Sequence, residues 1–254
     1  MRLCLWVAAS VGLLIFVGGA PAPADDVLGP FDLLIHLAGT PQYDGQILLR
    51  VQDYNLVQQE ELLAVMRGEP ASAIMTKIEI VLQELLAIHE RHIVFQGSHL
   101  IIQEFFSKEF YAQSVLVLRA LVPGLTITMR ARSRDAAFLT TAFFTDRASD
   151  PGEAELDVLA SPQRLPGHFE YLIAEGTSGE ALWEPLAAQM RAVGWVAVTV
   201  PTWGVVVTNL STEDEIQARL NAPGMGVGLY RLDPEAVLYP FGCDNCNRQG
   251  GGGG

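Results

Sequence analysis

The chain has 254 residues, half of them apolar and 18% charged, enough to bury a substantial core and unlike a disordered polymer. Its formal net charge of −13, from 16 basic and 29 acidic residues, argues against a protein whose main work is sequence-independent binding to a phosphate backbone. The only lysines are Lys77 and Lys108, which leaves two candidates for any chemistry that needs a lysine amine.

The N-terminus, "MRLCLWVAASVGLLIFVGGAPAPADD", sets Arg2 and the amine before an uncharged run over residues 3–19. Ala22-Pro23-Ala24 then offers a small-x-small site ahead of Asp25 and Asp26, the layout of a secretory signal peptide. The run is slightly shorter than the ~20 residues of a comfortable membrane span, so residues 1–24 read as a cleaved signal or as an anchor. Either places the body outside the cytoplasm, secreted, periplasmic or membrane-anchored. A mis-assigned start codon or a buried N-terminal helix would instead leave it cytoplasmic. Few lysines against arginine and alanine suit a GC-rich, prokaryotic genome.

After the leader, "FDLLIHLAG" reads as a short buried strand or as a very short helix, and "QILLRVQDYNLVQQEELLAVMRG" as a strand running into a helix that stops at Gly68. In "SAIMTKIEIVLQELLAIHERH", Ile78, Leu82, Leu85 and Leu86 fall at helical spacing. "LIIQEFFSKEFYAQSVLVLRAL" reads as a further helix halted by Pro123-Gly124. The expectation is therefore a mainly helical part over 25–122. "HERH" at 89–92 lacks the i, i+4 histidine spacing of a zinc-protease helix. His36, His89, His92, His99 and His168 are scattered, and those of this part read as packing groups.

The period then changes. "LTITMRARS" alternates and "AAFLTTAFFTD" is rich in β-formers. As a strand, the former projects Arg130, Arg132 and Arg134 to one side, as an anion contact or as a charged face that deters edge pairing. "ELDVLA" and "YLIAEGT" are two apolar runs with an acid on each, Asp157 and Glu175. "EALWEPLAAQMRAVG" is a helix with Pro185 in its first turn and Gly194 as its stop. "WVAVTVP" is a buried strand that "WGVVVTNL" extends or pairs with. Thr212 and Glu215 form a capping box that starts a short helix, "EDEIQARL". "GMGVGLYRLD" resumes as a strand; its glycines precede a strand and so make no dinucleotide fingerprint. No internal repeat is visible.

Strands, helix, strand, helix, strand imply a mixed β-sheet flanked by helices over 123–241, an α/β fold with α+β as the alternative. A right-handed crossover would set "WVAVTVP" parallel to the Glu175 strand. The CxxC of Cys243 and Cys246 fits a local disulfide in an oxidising compartment, or half of a zinc site, within a glycine-rich flexible tail over 242–254. N-L-S at 209–211 fits a glycosylation acceptor.

The stretch over 155–239 resembles the PD-(D/E)XK restriction-endonuclease-like superfamily. "ELDVLA" is similar to its first acid strand and "YLIAEGT" to its E-x-K strand, with "MRAVGWVAVTVP" and "GVGLYRLD" similar to the helix and strands that follow. The resemblance implies magnesium held by Asp157 and Glu175, activating water for phosphodiester cleavage. Thr177 stands where that pattern carries its lysine. Ser178 in "EGTSGE" occupies a strand-to-helix turn, but the G-x-S-x-G elbow of a serine hydrolase is a residue short, and His168 precedes it. The reading reached is an exported or anchored α/β protein with a non-catalytic binding or assembly role on a degenerate nuclease-like fold, engaging a protein partner, with the membrane reached only through the N-terminal segment. The alternative is a metal-dependent phosphodiesterase or nuclease using Asp157 and Glu175.

Overall fold

A computed structural model describes residues 28–52, 58–86, 93–106, 115–133, 138–159, 165–201 and 203–232. The leader, Lys108, His89, His92, Arg134 and the Cys243–Cys246 motif lie outside them. The described strands are β1 (Leu33–Gly39), β2 (Gly45–Gln52), β3 (Gln58–Val65), β4 (Ile93–Gln96), β5 (His99–Ile102), β6 (Val115–Ala120), β7 (Leu125–Arg132), β8 (Leu139–Asp146), β9 (Gly152–Leu159), β10 (His168–Ile173), β11 (Ala197–Val200), β12 (Gly204–Val207), β13 (Glu215–Leu220) and β14 (Met225–Leu232). The helices are α1 (Ala71–Leu86) and α2 (Trp183–Ala192), the latter entered through a 3-10 turn over Gly179–Leu182.

The strands form two seven-stranded antiparallel sheets. Sheet I has the order β10-β9-β13-β7-β1-β5-β4, and sheet II the order β11-β12-β8-β14-β6-β2-β3. Alternation decides which residues meet between them. Ile35, Leu37, Ile127, Met129, Leu156 and Ile216 of sheet I join Ile47, Leu118, Phe144, Val205, Val227 and Leu229 of sheet II in one buried core. Each helix closes one open flank. α1 packs on β3 of sheet II and on β1, β4 and β5 of sheet I, burying Ile74, Met75, Ile78, Leu82 and Leu86. α2 packs on β10 of sheet I and on β11 and β12 of sheet II, burying Leu186, Ala187 and Met190. The helices also mask strand edges: Lys77 Nζ donates to the Ala64 carbonyl on β3, and Gln189 Nε2 to the Glu170 carbonyl on β10, each at 2.9 Å.

This architecture overturns the α/β expectation. Among the described residues there is no helical N-terminal part and no mixed sheet; the fold is mostly β. "VQQEELLAV" forms β3, because Leu63 and Val65 turn inward in register with β2 while Leu62 points outward. The adjacent leucines had mimicked helical spacing. "LIIQEFFSKEFYAQSVLVLRAL" holds the end of strand β5 and all of β6, whose two-residue period in "VLVLRA" was hidden by an unbroken apolar run. "EDEIQARL" contains β13: Ile216, Ala218 and Leu220 face the core, and pairing with both β7 and β9 outweighs the local capping signal. The parallel crossover is also overturned, since β11 pairs antiparallel with β12 in the sheet that does not contain β10. Among the described residues no helix is long and apolar enough to cross a membrane.

Candidate functional site

Hairpin β9–β10 sits at one side of sheet I, and its odd β9 residues face away from the core. Register sets His168 across from Asp157, Glu170 from Glu155 and Leu172 from Glu153. Strand β13, on the other side of β9, sets Gln217 against Asp157 and Arg219 against Glu155. The pairs are bonded as this register allows. Asp157 Oδ1 meets His168 Nδ1 at 2.7 Å, and its Oδ2 accepts from Gln217 Nε2 at 2.8 Å. Arg219 Nη1 donates to both Glu155 oxygens, at 2.9 and 3.0 Å. Glu155 and Asp157 are thereby buried, although they lie on the outer face.

Charge in this strip shifts two titrations. The hydrogen bond to Asp157 raises the His168 pKa above its ordinary value, assisted by the negative charges of Asp157, Glu155 and Glu170 and opposed by burial. A hydrogen bond that the protonated Glu153 carboxyl donates to Glu170 holds it above the usual range, with burial adding to it. Further along the face, His36 on β1 stacks on His99 of β5 with ring centres 4.2 Å apart. Burial, then the charges of His99 and Arg219, lower its pKa to about 4.

The structure does not bring the two expected metal acids together. Glu175 lies exposed in the turn after β10, beyond Ile173, whereas Asp157 faces His168 at the other end of that strand. The five residue steps from His168 to Ile173 at ~3.4 Å each separate them by about 17 Å, against the few ångströms a shared ion allows. Thr177 is held in the same turn: its N–H donates to Ala174 O at 3.1 Å, and its carbonyl accepts from Ala148 N at 3.0 Å. Ser178 follows at the start of the 3-10 turn, so His168 and Ser178 also stand at opposite ends of β10. Arg130 pairs with Glu215 at 3.1 Å, and Arg132 Nε donates to Leu28 O at 2.8 Å, so neither is held out for an anion.

What the hairpin does bring together is Glu155, Asp157 and His168, with one potential ligand atom from each lying within 4.8 Å of the others. The signal for Glu155 was its two-residue spacing from Asp157 on one strand face. For His168, only the hairpin register could have supplied it. A cation here would have to displace the Arg219, His168 and Gln217 contacts that already satisfy both carboxylates. Comparison of the chain with family models, with curated proteins and with solved structures finds no match.

Proposed function

We propose that the protein is a binding or assembly module acting outside the cytoplasm, and that it engages a protein partner along β3 and α1. The observation that carries this is the placement of exposed apolar side chains. Among the described residues eight large ones are exposed, and four of them, Tyr43, Leu62, Met66 and Ile80, surround the β3 edge of sheet II. Leu62 lies on the outer face of β3, and Met66 follows the strand directly. Arg67 N donates to Asp44 Oδ1 at 2.8 Å, which ties the turn carrying Met66 to the one carrying Tyr43. Ile80 stands one helical turn beyond Lys77, whose ammonium reaches the β3 backbone. Exposed apolar groups gathered in one place mark association surfaces, whereas single ones do not. The carboxylates on the opposite sheet favour this reading over metal-dependent hydrolysis, because their oxygens are spent on internal partners.

Photo-crosslinking residues introduced singly at positions 62, 66 and 80 test the assignment, with position 172 on β10 as the control. A discrete adduct from the first three positions and none from 172 is expected. Equal adducts from all four, or none from any, would refute it.

A further inference from the structure

We infer that the chain is a fused dimer: residues 33–132 and 140–232 are two copies of one seven-stranded unit, and the seam between them is a surface whose fitting partner is a second copy of that unit.

The observations are topological first. Each half runs strand, hairpin, helix, hairpin, strand, strand: β1, β2–β3, α1, β4–β5, β6, β7, and then β8, β9–β10, α2, β11–β12, β13, β14. Sheet I reads β10-β9-β13-β7-β1-β5-β4, and sheet II in reverse reads β3-β2-β6-β14-β8-β12-β11. Position by position, every strand of one half is matched by its counterpart in the other, with the sheets exchanged. A twofold rotation does this, and the halves join twice, through β13–β7 in sheet I and β14–β6 in sheet II.

Register carries the equivalence to single residues. Strands β6 and β13, and β7 and β14, begin and end 100 residues apart. Ile47 faces Ala120 and Ala154 faces Leu220; Ile35 faces Leu100 and Ala142 faces Val205. Backbone bonds recur in the same places. Gln42 N bonds Pro123 O and Ser149 N bonds Pro223 O; Leu121 N bonds Gln46 O and Asn221 N bonds Glu153 O; Gly68 N bonds Pro41 O and Gly176 N bonds Ala148 O. Positive φ recurs at Gly39 and Asp146, Gly68 and Gly176, and Gly124 and Gly224. At Gly45 a Cβ would lie 2.0 Å from Val122, and at Gly152 one would lie 2.5 Å from Ala222, the equivalent residue.

The side chains show what has been kept. Inward positions keep their type: Leu125, Ile127 and Met129 against Met225, Val227 and Leu229. Outward positions have changed: Thr126, Thr128, Arg130 and Arg132 against Gly226, Gly228, Tyr230 and Leu232. The Asp157–His168 pair has its counterpart in Arg50–Glu60 at 2.6 Å, a cross-strand pair at the equivalent register position. Bonding there belongs to the unit, and only its chemistry differs. The two seams differ by two residues in register: Arg219 faces Thr128, but Arg119 faces Gly226. The step is even, so every side chain keeps its face.

Amide hydrogen exchange on the intact chain reads the equivalence directly. Gln42 and Ser149, Leu121 and Asn221, and Gly68 and Gly176 should each show protection matched within about tenfold. Protection confined to one copy, with its counterparts exchanging at free-chain rates, would overturn the inference. A rearranged chain then tests the fit of the units. Residues 138–232 come first and are joined through one glycine to 28–133. The new connection then has six residues between Leu232 and Leu33, as the native one has between Arg132 and Leu139. Arg231, whose guanidinium donates to Pro30 O, already holds those ends together. The expected product is monomeric, with an unchanged far-ultraviolet spectrum and a Tm within about 10 °C of the parent. An unfolded or aggregated product, alongside unmatched exchange, would overturn it.

Discussion

The His36 ring should make the fold sensitive to mild acid. Its pKa is lowered from 6.5 to about 4 by burial, by His99 stacked on it and by Arg219. Above pH 6.5 the ring is neutral whether the chain is folded or not, and it makes no difference to stability. As pH falls below 6.5 the unfolded chain takes up the proton and the folded one resists, so stability drains away until pH falls through about 4. At ~1.4 kcal/mol per pH unit, the gap between the two values sets a ceiling of about 3 kcal/mol. The ring is only about half buried, so solvent screening reduces this to about 1–2 kcal/mol. His36→Phe installs the residue found at the equivalent position of the other unit, Phe143, and removes the charge. Urea unfolding at pH 7.5, 5.5 and 4 measures the effect. The native chain should lose about 1–2 kcal/mol more than the variant between pH 7.5 and 4. Identical pH dependence in the two would refute the reasoning.

Other outcomes follow from single contacts. Asp157→Asn should lower the His168 pKa toward its ordinary value, read by NMR titration of the ring. In the native chain the pair supports the fold most below pH 6.5 and fades as pH rises through the raised folded value. Gly152→Ala forces a Cβ against the Ala222 backbone and should cost about 2–3 kcal/mol in chemical denaturation. Gly176→Ala meets open space at φ +80° and should cost only about 1 kcal/mol. Phe144→Ala empties a fully buried position between the sheets and should cost about 3–5 kcal/mol in the same assay.

Where one period was unambiguous, the elements were legible. α1 shows apolar residues at Ile74, Ile78 and Leu82, and β7 alternates Ile127, Met129 and Ala131 with outward residues. Strands β3, β6 and β13 were hidden because an apolar doublet, an unbroken apolar run or a T-x-x-E box suggested a local helix. Their partners, β2, β14 and β9, lie far along the chain or across a hairpin. With those strands read as helices, a β-sandwich became an α/β fold. Asp157 was singled out as a magnesium ligand on the nuclease resemblance; its observed partners His168 and Gln217 come from other strands, and only register joins them. The duplication was nearly silent in sequence. Arg119-to-Gly124, "RALVPG", and Arg219-to-Gly224, "RLNAPG", share only Arg, Pro and Gly. The inward residues were exchanged among apolar types, and the outward ones were mostly replaced, Arg119 and Arg219 being kept.

The proposed partner surface is formed by β3 and α1. The measurement that tests it most directly is the affinity of the crosslinked partner, once isolated, for the native chain and for the triple variant Leu62→Glu, Met66→Glu, Ile80→Glu. All three side chains are more than half exposed, so the fold should survive the charges. The variant should bind at least a hundredfold more weakly, with an unchanged Tm. Equal affinity in a folded triple variant would contradict it.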